Sequence, residues 1–223
     1  MNLCHLNLFR ISNIGLRIFI FTNMYIDLTM EISDKTPPFP GDPKLELKTL
    51  ATIFKDGCNE KRVSFNTHFS THIDAPFHML EDGRKLDEFP IETFIGDAQI
   101  FDVRETSEIK LSNLTNRIQV PVVLFRTDHT KKALQPDFFR NNPVISSEVA
   151  NKLAASSVKI VGIDSFTPDN YPYTVHKILF KKNILIVENL VNLEAIGSRC
   201  KLFIAPLNLK NADGAPARVF AQV

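Results

Sequence analysis

Three histidines and an aspartate lie within eleven residues of one short segment of this chain. They are His68, His72, Asp74 and His78, and the whole protein has only six histidines. Imidazole and carboxylate groups form the ligand set that suits zinc and similar divalent metals. The helical HExxH motif of metalloproteases is excluded, because Phe69 follows His68 and no glutamate stands between His68 and His72. The segment therefore indicates a metal site of another type.

Residues 66–78 are predicted to form a β-strand that presents these polar groups together. Successive side chains of a strand alternate between its faces, so His68, Ser70, His72 and Asp74 would share one side. A helix is disfavoured, because the segment is rich in β-branched residues and reaches a proline. The alternative to a metal site is that these histidines form ordinary hydrogen bonds. Burying several such groups without partners would cost roughly 2–7 kcal/mol each, which favours a metal.

The segment resembles the signature of the cyclase family of metal-dependent hydrolases, the group that includes bacterial kynurenine formamidase and isatin hydrolase. The family pattern is His-x-Gly-Thr-His-x-Asp-x-Pro-x-His, and residues 68–78 match it with one departure. Ser70 stands where the family has glycine. In a strand its side chain would point toward the ligands, where it would crowd the metal or the substrate or donate a hydrogen bond.

A second segment, residues 175–193, carries further residues suited to metal binding. Glu188 ends the aliphatic run 184–187, which is predicted to be a strand, and buried carboxylates almost always have a partner. The alternative is an edge-strand glutamate that faces water. His176 and Glu188 have the spacing of the family's remaining ligands, and residues 188–193 match its Glu-Asn-Leu-x-Asn-Leu motif. Residues 213–218 also match, so the resemblance covers residues 25–223.

The resemblance implies two divalent metal ions, with Zn²⁺ favoured and Mn²⁺ as the other choice. One ion would be held by His68, His72 and Asp74, and the other by Asp74, His176 and Glu188. Asp74 would bridge the two ions, and Glu188 is a second candidate bridge. Carboxylates are needed in such a site, because two neighbouring dications repel each other and neutral histidines do not offset that repulsion.

The resemblance also implies roles for His78 and Phe39. His78 matches the family's proton donor and acceptor, a role that suits imidazole because it titrates near neutral pH. The alternative for His78 is a third ligand to one metal. Phe39 lies in the proline-rich loop 36–43, where the kynurenine formamidases have a tryptophan that lines the substrate pocket. Phe39 is therefore the candidate substrate-binding residue, although this chain has no tryptophan.

The implied activity is that of a binuclear metal-dependent hydrolase acting on an amide, formamide or lactam. A metal-dependent cyclase or dehydratase using the same metal as a Lewis acid is one alternative. A metal-binding scaffold without activity is the other. The implied partner is a small-molecule substrate, and the family resemblance implies a homo-oligomer, either a dimer or a tetramer.

The composition excludes some classes of partner. A net charge of +1, from 26 basic and 25 acidic residues, disfavours a nucleic-acid partner or an anionic membrane. The apolar run 18–21 is far shorter than the roughly 20 residues of a membrane-spanning helix. Three cysteines without CxxC spacing indicate no disulfide framework, so a cytoplasmic location is expected.

The predicted fold is α/β, of the swivelling β/β/α type, with a central mixed sheet or barrel and flanking helices. Residues 1–24 are predicted to be an N-terminal extension, and residues 25–223 a single domain. Ser146 is predicted to cap a helix that extends to Ser156. Strands are predicted at 94–103, 119–126, 158–163 and 184–187. His129 is assigned to a solvated loop, residues 127–132, because its neighbours are charged.

Overall fold

The computed structural model describes residues 24–223 of the chain. The predicted N-terminal extension, residues 1–24, therefore lies outside the described residues except for Met24. In chain order the strands and helices are β1 (Tyr25–Asp27), β2 (Glu46–Ala51), α1 (Ile53–Asp56), β3 (Glu60–Ser64), β4 (His72–Asp74), β5 (Ile95–Asp102), β6 (Glu108–Ile109), β7 (Val122–Arg126), β8 (Val144–Ile145), α2 (Ser147–Ala154), β9 (Ile160–Ile163), α3 (Thr174–Phe180), β10 (Leu185–Glu188), β11 (Arg199–Pro206) and β12 (Gly214–Gln222).

Seven of these strands close into a mixed barrel. Their order is β12, β11, β5, β7, β9, β10 and β4, and β4 pairs back onto β12. The neighbours among β5, β7, β9 and β10 are parallel, whereas β4, β11 and β12 pair antiparallel. Strand β1 pairs with the end of β12, and β2 and β3 form a separate hairpin. The barrel brings β4 and β10 together, although 110 residues separate Asp74 from Leu185, where β10 begins.

Side-chain alternation along the strands divides the hydrophobic core into two layers. On β7, Val122 and Leu124 pack inside the barrel, while Val123 and Phe125 pack outside it. The outer layer is covered by α2 and α3, which bury Leu153 and Leu179 against it. Parallel strands need a crossover connection, and α3 forms the crossover between β9 and β10. This helix is thereby held against the outer face of the barrel.

The structure confirms the predicted N-cap and the predicted apolar face of helix α2. The Ser146 side chain accepts a hydrogen bond from the Val149 backbone N–H at 3.3 Å. Val149 and Leu153 are fully buried. The strands predicted at 94–103, 119–126, 158–163 and 184–187 are found as β5, β7, β9 and β10, shifted or shortened by a few residues at their ends.

The predicted fold class is confirmed: this is an α/β fold of the swivelling β/β/α type, built on a closed mixed barrel with flanking helices. Among residues 24–223, no helix has the length and apolar character that a membrane crossing requires.

Candidate metal centre and active site

The outer face of β4 and β10 gathers three of the predicted ligands. Glu188 lies directly opposite His72 in this antiparallel pair, and Asp74 lies two residues further along β4. Residues two apart in a strand point to the same face, so these three side chains lie together. Helix α3 crosses this face and adds His176. All four side chains are buried.

His68 reaches the same group from a turn, and the strand predicted for its segment is correct only over His72–Asp74. Residues 67–71 form turns, and Ser70 has a φ of +61°. This left-handed conformation is unfavourable for a residue with a Cβ and is incompatible with an extended strand. Ser70 does not point toward the ligands as predicted, because its Oγ donates a hydrogen bond to the Met30 carbonyl at 2.9 Å.

The polar atoms of the five predicted ligands approach one another closely. Asp74 Oδ1 lies 2.7 Å from His68 Nδ1 and 3.2 Å from His72 Nε2. The two Glu188 oxygens each lie 3.3 Å from a histidine Nε2, one on His72 and the other on His176. Asp74 Oδ2 lies 3.9 Å from His176 Nε2.

These contacts form two groups, each with ligand atoms within 4.8 Å of one another: His68 with His72 and Asp74, and Asp74 with His176 and Glu188. Asp74 belongs to both groups. The structure therefore brings together all five residues that the sequence suggested.

Each of the three histidines also has a hydrogen-bond partner on its second ring nitrogen. His68 Nε2 lies 2.8 Å from Asp213 Oδ2, and His176 Nδ1 lies 2.5 Å from Asp169 Oδ1. His72 Nδ1 lies 2.9 Å from the Ser70 carbonyl oxygen.

An acceptor on one nitrogen fixes the ring and leaves the other nitrogen for a metal. The other nitrogens of these rings are Nδ1 of His68 and Nε2 of His72 and His176. These are the three nitrogens that face the carboxylates of the cluster. The donor set and its orientation thus fit a divalent metal site.

The electrostatics of the cluster favour added positive charge. Burial alone would lower the pKa of His68, but the neighbouring Asp74 and Asp213 raise it to about 9. Burial likewise opposes the charge on His176, and its neighbouring carboxylates raise its pKa to about 10. Burial would raise the pKa of Asp74, yet the adjacent His72 and His68 hold it well below its usual range. The buried carboxylates therefore favour positive charge nearby, which protonated histidines supply without metal and divalent metals would supply when bound.

His78 lies beside the cluster. It ends a short 3₁₀ turn, Pro76–His78, that begins one residue after β4. Its ring packs against that of His68 at a centroid distance of 3.9 Å, and its Nδ1 lies 3.6 Å from Asp213 Oδ2. The ligand atoms of His78, His68 and Asp213 also lie within 4.8 Å of one another, so a ligand role for His78 stays geometrically open.

The site opens into a cavity of about 650 Å³. Phe39 lies on its wall, with ring centroids 5.6 Å from Phe139 and 6.2 Å from Phe166. Phe138 contacts both of these partners and extends the aromatic wall. Such a wall suits a flat, apolar ligand group.

The sequence assignment of His129 to a solvated loop is wrong. The residue begins a 3₁₀ turn, His129–Lys132, is buried, and stacks on Phe138 at a centroid distance of 5.2 Å. Its Nε2 lies 2.8 Å from the Phe138 carbonyl oxygen. His129 therefore supports the aromatic wall from behind and has no part in the metal cluster. Two of the charged neighbours that suggested exposure, Asp128 and Lys131, pair with each other at 2.9 Å.

Asp169 and Asp213 are functional candidates that the sequence did not single out for a role. Each is one acidic residue in a loop, and nothing in its spacing marks it. Residues 213–218 matched the family motif, which was the available signal for Asp213. Asp169 follows a conspicuous Pro168 but carries no motif of its own.

Comparisons with known proteins show which family this chain belongs to. The Cyclase family model matches residues 26–170, which is more than half of the chain. The protein belongs to the cyclase family. The kynurenine formamidase of Bacillus cytotoxicus is 32% identical over 201 residues, which cover 87% of this chain and 95% of that protein. The same enzyme of Bacillus mycoides is 31% identical over 204 residues, covering 88% and 96%.

Two solved structures place this cyclase-family chain in its fold group. One is described as a potential metal-dependent hydrolase with cyclase activity, is 27% identical, and superposes with a TM-score of 0.77 over 90% of this chain and 98% of the other. The other, isatin hydrolase A from Labrenzia aggregata, is 22% identical and has a TM-score of 0.81 over 90% and 94%. At that identity the second comparison shows the fold alone.

Proposed function

We propose that this protein is a metal-dependent hydrolase that cleaves the C–N bond of an amide, formamide or lactam, as an arylformamidase does. The observation that carries the proposal is the buried cluster in which Asp74 belongs to both ligand groups. The aromatic cavity beside it supports a small-molecule substrate. The similarity to kynurenine formamidases supports the same class of bond.

The proposed cofactors are two divalent ions, with Zn²⁺ favoured and Mn²⁺ accepting the same donors. His68, His72 and Asp74 would hold one ion, and Asp74, His176 and Glu188 the other. When bound, such ions supply Lewis acidity, which polarises a carbonyl and makes water nucleophilic at neutral pH.

His78 is the proposed proton carrier. Its Nδ1 faces Asp213, so its Nε2 is the nitrogen that takes a proton from the attacking water. The same Nε2 then gives that proton to the leaving nitrogen as the C–N bond breaks. The products are a carboxylate and an amine.

Phe39 is the proposed substrate contact. The residue is 46% exposed although its ring packs against Phe139 and Phe166, and it lines the cavity. We expect Phe39→Ala to raise KM for an aromatic substrate by about tenfold, whereas Phe39→Tyr keeps the ring and most of the affinity. An unchanged KM in Phe39→Ala would show that Phe39 does not contact the substrate.

Hydrolysis of N-formylkynurenine and of isatin tests the proposed activity. The purified protein is assayed as isolated, after treatment with a chelator, and after addition of Zn²⁺ or Mn²⁺. We expect turnover of at least one compound, loss of turnover with the chelator, and recovery with metal. Turnover that survives complete removal of metal would contradict the proposal, and bound metal without turnover of any amide would favour a scaffold.

We also infer a homo-oligomer and a cytoplasmic location. Ile53 and Phe54, in the α1 turn between β2 and β3, are 66% and 96% exposed, and exposed apolar groups of this kind often mark an interface. Light scattering of the purified protein tests the first inference. A monomer at all concentrations would contradict it.

A further inference from the structure

The residue that follows Glu188 makes an unusual set of buried contacts. Asn189 is buried and has a φ of +55°, a conformation that asparagine tolerates better than most residues. Its side-chain Nδ2 donates a hydrogen bond to the Ser70 carbonyl at 3.0 Å, across 119 positions of sequence. Its own carbonyl accepts a hydrogen bond from Thr71 Oγ1 at 2.6 Å. Asn189 therefore ties the end of β10 to the turn before β4.

The Ser70 carbonyl also holds His72. His72 Nδ1 lies 2.9 Å from this oxygen, which leaves Nε2 to face Asp74 and Glu188. His68 and His176 are oriented by carboxylate side chains, but His72 depends on a backbone carbonyl. That carbonyl belongs to a residue with a φ of +61°, outside any strand, so its direction needs support from elsewhere.

The orientation of the Asn189 carboxamide follows from chemistry. With the amide reversed, two oxygens would lie 3.0 Å apart, so Nδ2 must be the atom that faces Ser70. The Oδ1 atom has no hydrogen-bond partner among residues 24–223. The Asn189 side chain thus forms its hydrogen bond through Nδ2, to the Ser70 carbonyl oxygen. The same oxygen orients His72.

We propose that Asn189 is a positioning residue for the metal centre: its Nδ2 fixes the Ser70 carbonyl, which in turn fixes the His72 ring with Nε2 toward the metal. The inference rests on the proposed metal site and adds to it a residue that touches neither metal nor substrate. A group that hydrogen-bonds a metal-binding histidine orients its ring, and loss of such a group weakens metal binding by about 10–100-fold. Here that group is the Ser70 carbonyl, and Asn189 acts through it.

Zn²⁺ affinity, measured by competition with a chelator, tests this role without substrate. The variants are Asn189→Asp, which keeps the shape and loses the donor, and Asn189→Gly, which keeps the left-handed backbone and loses the carboxamide. We expect both to bind Zn²⁺ about 10–100-fold more weakly than the wild type. In the zinc-loaded wild type, ¹⁵N NMR should show a protonated His72 Nδ1 in a single environment, and this signal should shift or broaden in both variants.

Asn192, four positions beyond Glu188, offers a control for the backbone conformation and the type of contact, although it is exposed and Asn189 is buried. It has a φ of +58°, and its Nδ2 donates to the Asp27 carbonyl at 2.9 Å, away from the metal cluster. Asn192→Asp and Asn192→Gly therefore remove the same kind of contact from the same kind of backbone. We expect their Zn²⁺ affinity to stay within about twofold of the wild type.

Three outcomes would overturn the inference. Wild-type affinity in both Asn189 variants would overturn it while leaving the metal site intact. An equal loss in the Asn192 variants would show a general effect on folding and would also overturn it. A wild-type protein that binds no Zn²⁺ or Mn²⁺ would overturn the proposed function together with this inference. Zn²⁺ binding without amide hydrolysis overturns the proposed activity alone.

Discussion

At the scale of single residues, the proposed chemistry depends on which nitrogen each histidine turns toward the carboxylates. One ring nitrogen of each proposed histidine ligand has a hydrogen-bond partner outside the cluster. The partners are Asp213 for His68, the Ser70 carbonyl for His72 and Asp169 for His176. His78 differs, because its nearest carboxylate atom is 3.6 Å away and its ring borders the cavity. This difference supports the proposed role of His78 in proton exchange and the proposed role of the other three histidines as ligands.

We expect His78→Ala to keep its metal and to lose turnover. General acid–base catalysis contributes about 10²–10⁴-fold, so kcat should fall by that amount while metal content stays at the wild-type level. Elemental analysis and a steady-state assay on the same sample measure both quantities. Loss of metal in His78→Ala would refute the proton-transfer role and favour the ligand role.

At this scale the sequence predicted which side chains lie together. Residue type, spacing and the family resemblance pointed to the five ligand candidates and His78, and the structure brings them close to one another. Ser70 was misplaced, because alternation assumes extended backbone and cannot reveal a φ of +61°. His129 was misplaced, because charged neighbours indicate an exposed loop and not the direction of each side chain within it.

At the scale of elements, the site depends on how closely β12 approaches β4. Gly214 lies opposite Asp74 in this pair. A Cβ on Gly214 would lie 2.8 Å from both His68 Cε1 and the Ile73 carbonyl oxygen, closer than real Cβ atoms come to other atoms. Only glycine lets the two strands pair at this distance while His68 stays in place.

We expect Gly214→Ala to reduce metal affinity by at least about tenfold, because the added methyl group must displace His68 or the strand. Chelator competition measures this change. Gly197→Ala is the control: its Cβ meets no atom within 4 Å, but the residue has a φ of +61°. It should therefore lose about 1 kcal/mol of stability and keep its metal affinity. Equal metal affinity in Gly214→Ala and the wild type would contradict this account.

Elements were predictable where local signals agree with tertiary packing. Ser146 caps α2 as expected, and the aliphatic runs became the parallel strands of the barrel. The closure of β4 onto β12 was not predictable, because β4 has only three residues and pairs with strands more than a hundred positions away. Long-range register leaves no local trace in the sequence.

At the scale of the whole molecule, the proposed metals and protons would compete for the same buried groups. In the metal-free protein the raised pKa of His68 stabilises the fold fully below pH 6.5, and this stabilisation is lost as pH rises through about 9. The lowered pKa of Asp74 also stabilises the fold, but with the opposite pH dependence. This stabilisation is lost in acid, as pH falls below the ordinary carboxyl value of 3.8. The metal-free protein should therefore be most stable between about pH 4 and 6.5.

We expect the stabilisation by metal to grow with pH. Metal binds the neutral imidazoles, so alkaline conditions favour it and disfavour the metal-free fold. Thermal unfolding at pH 6, 7.5 and 9, with Zn²⁺ and with a chelator, measures the difference in Tm. The difference should widen from pH 6 to pH 9, and a constant difference over this range would contradict the assignment of these histidines as ligands.

The metal content of the purified protein tests the central claim most directly. Elemental analysis should find close to two ions of zinc or manganese per chain in the wild type. The shared position of Asp74 predicts that Asp74→Ala loses both ions, whereas loss of a ligand from one group alone would spare the other. A well-folded wild-type protein that binds neither metal would contradict the entire account.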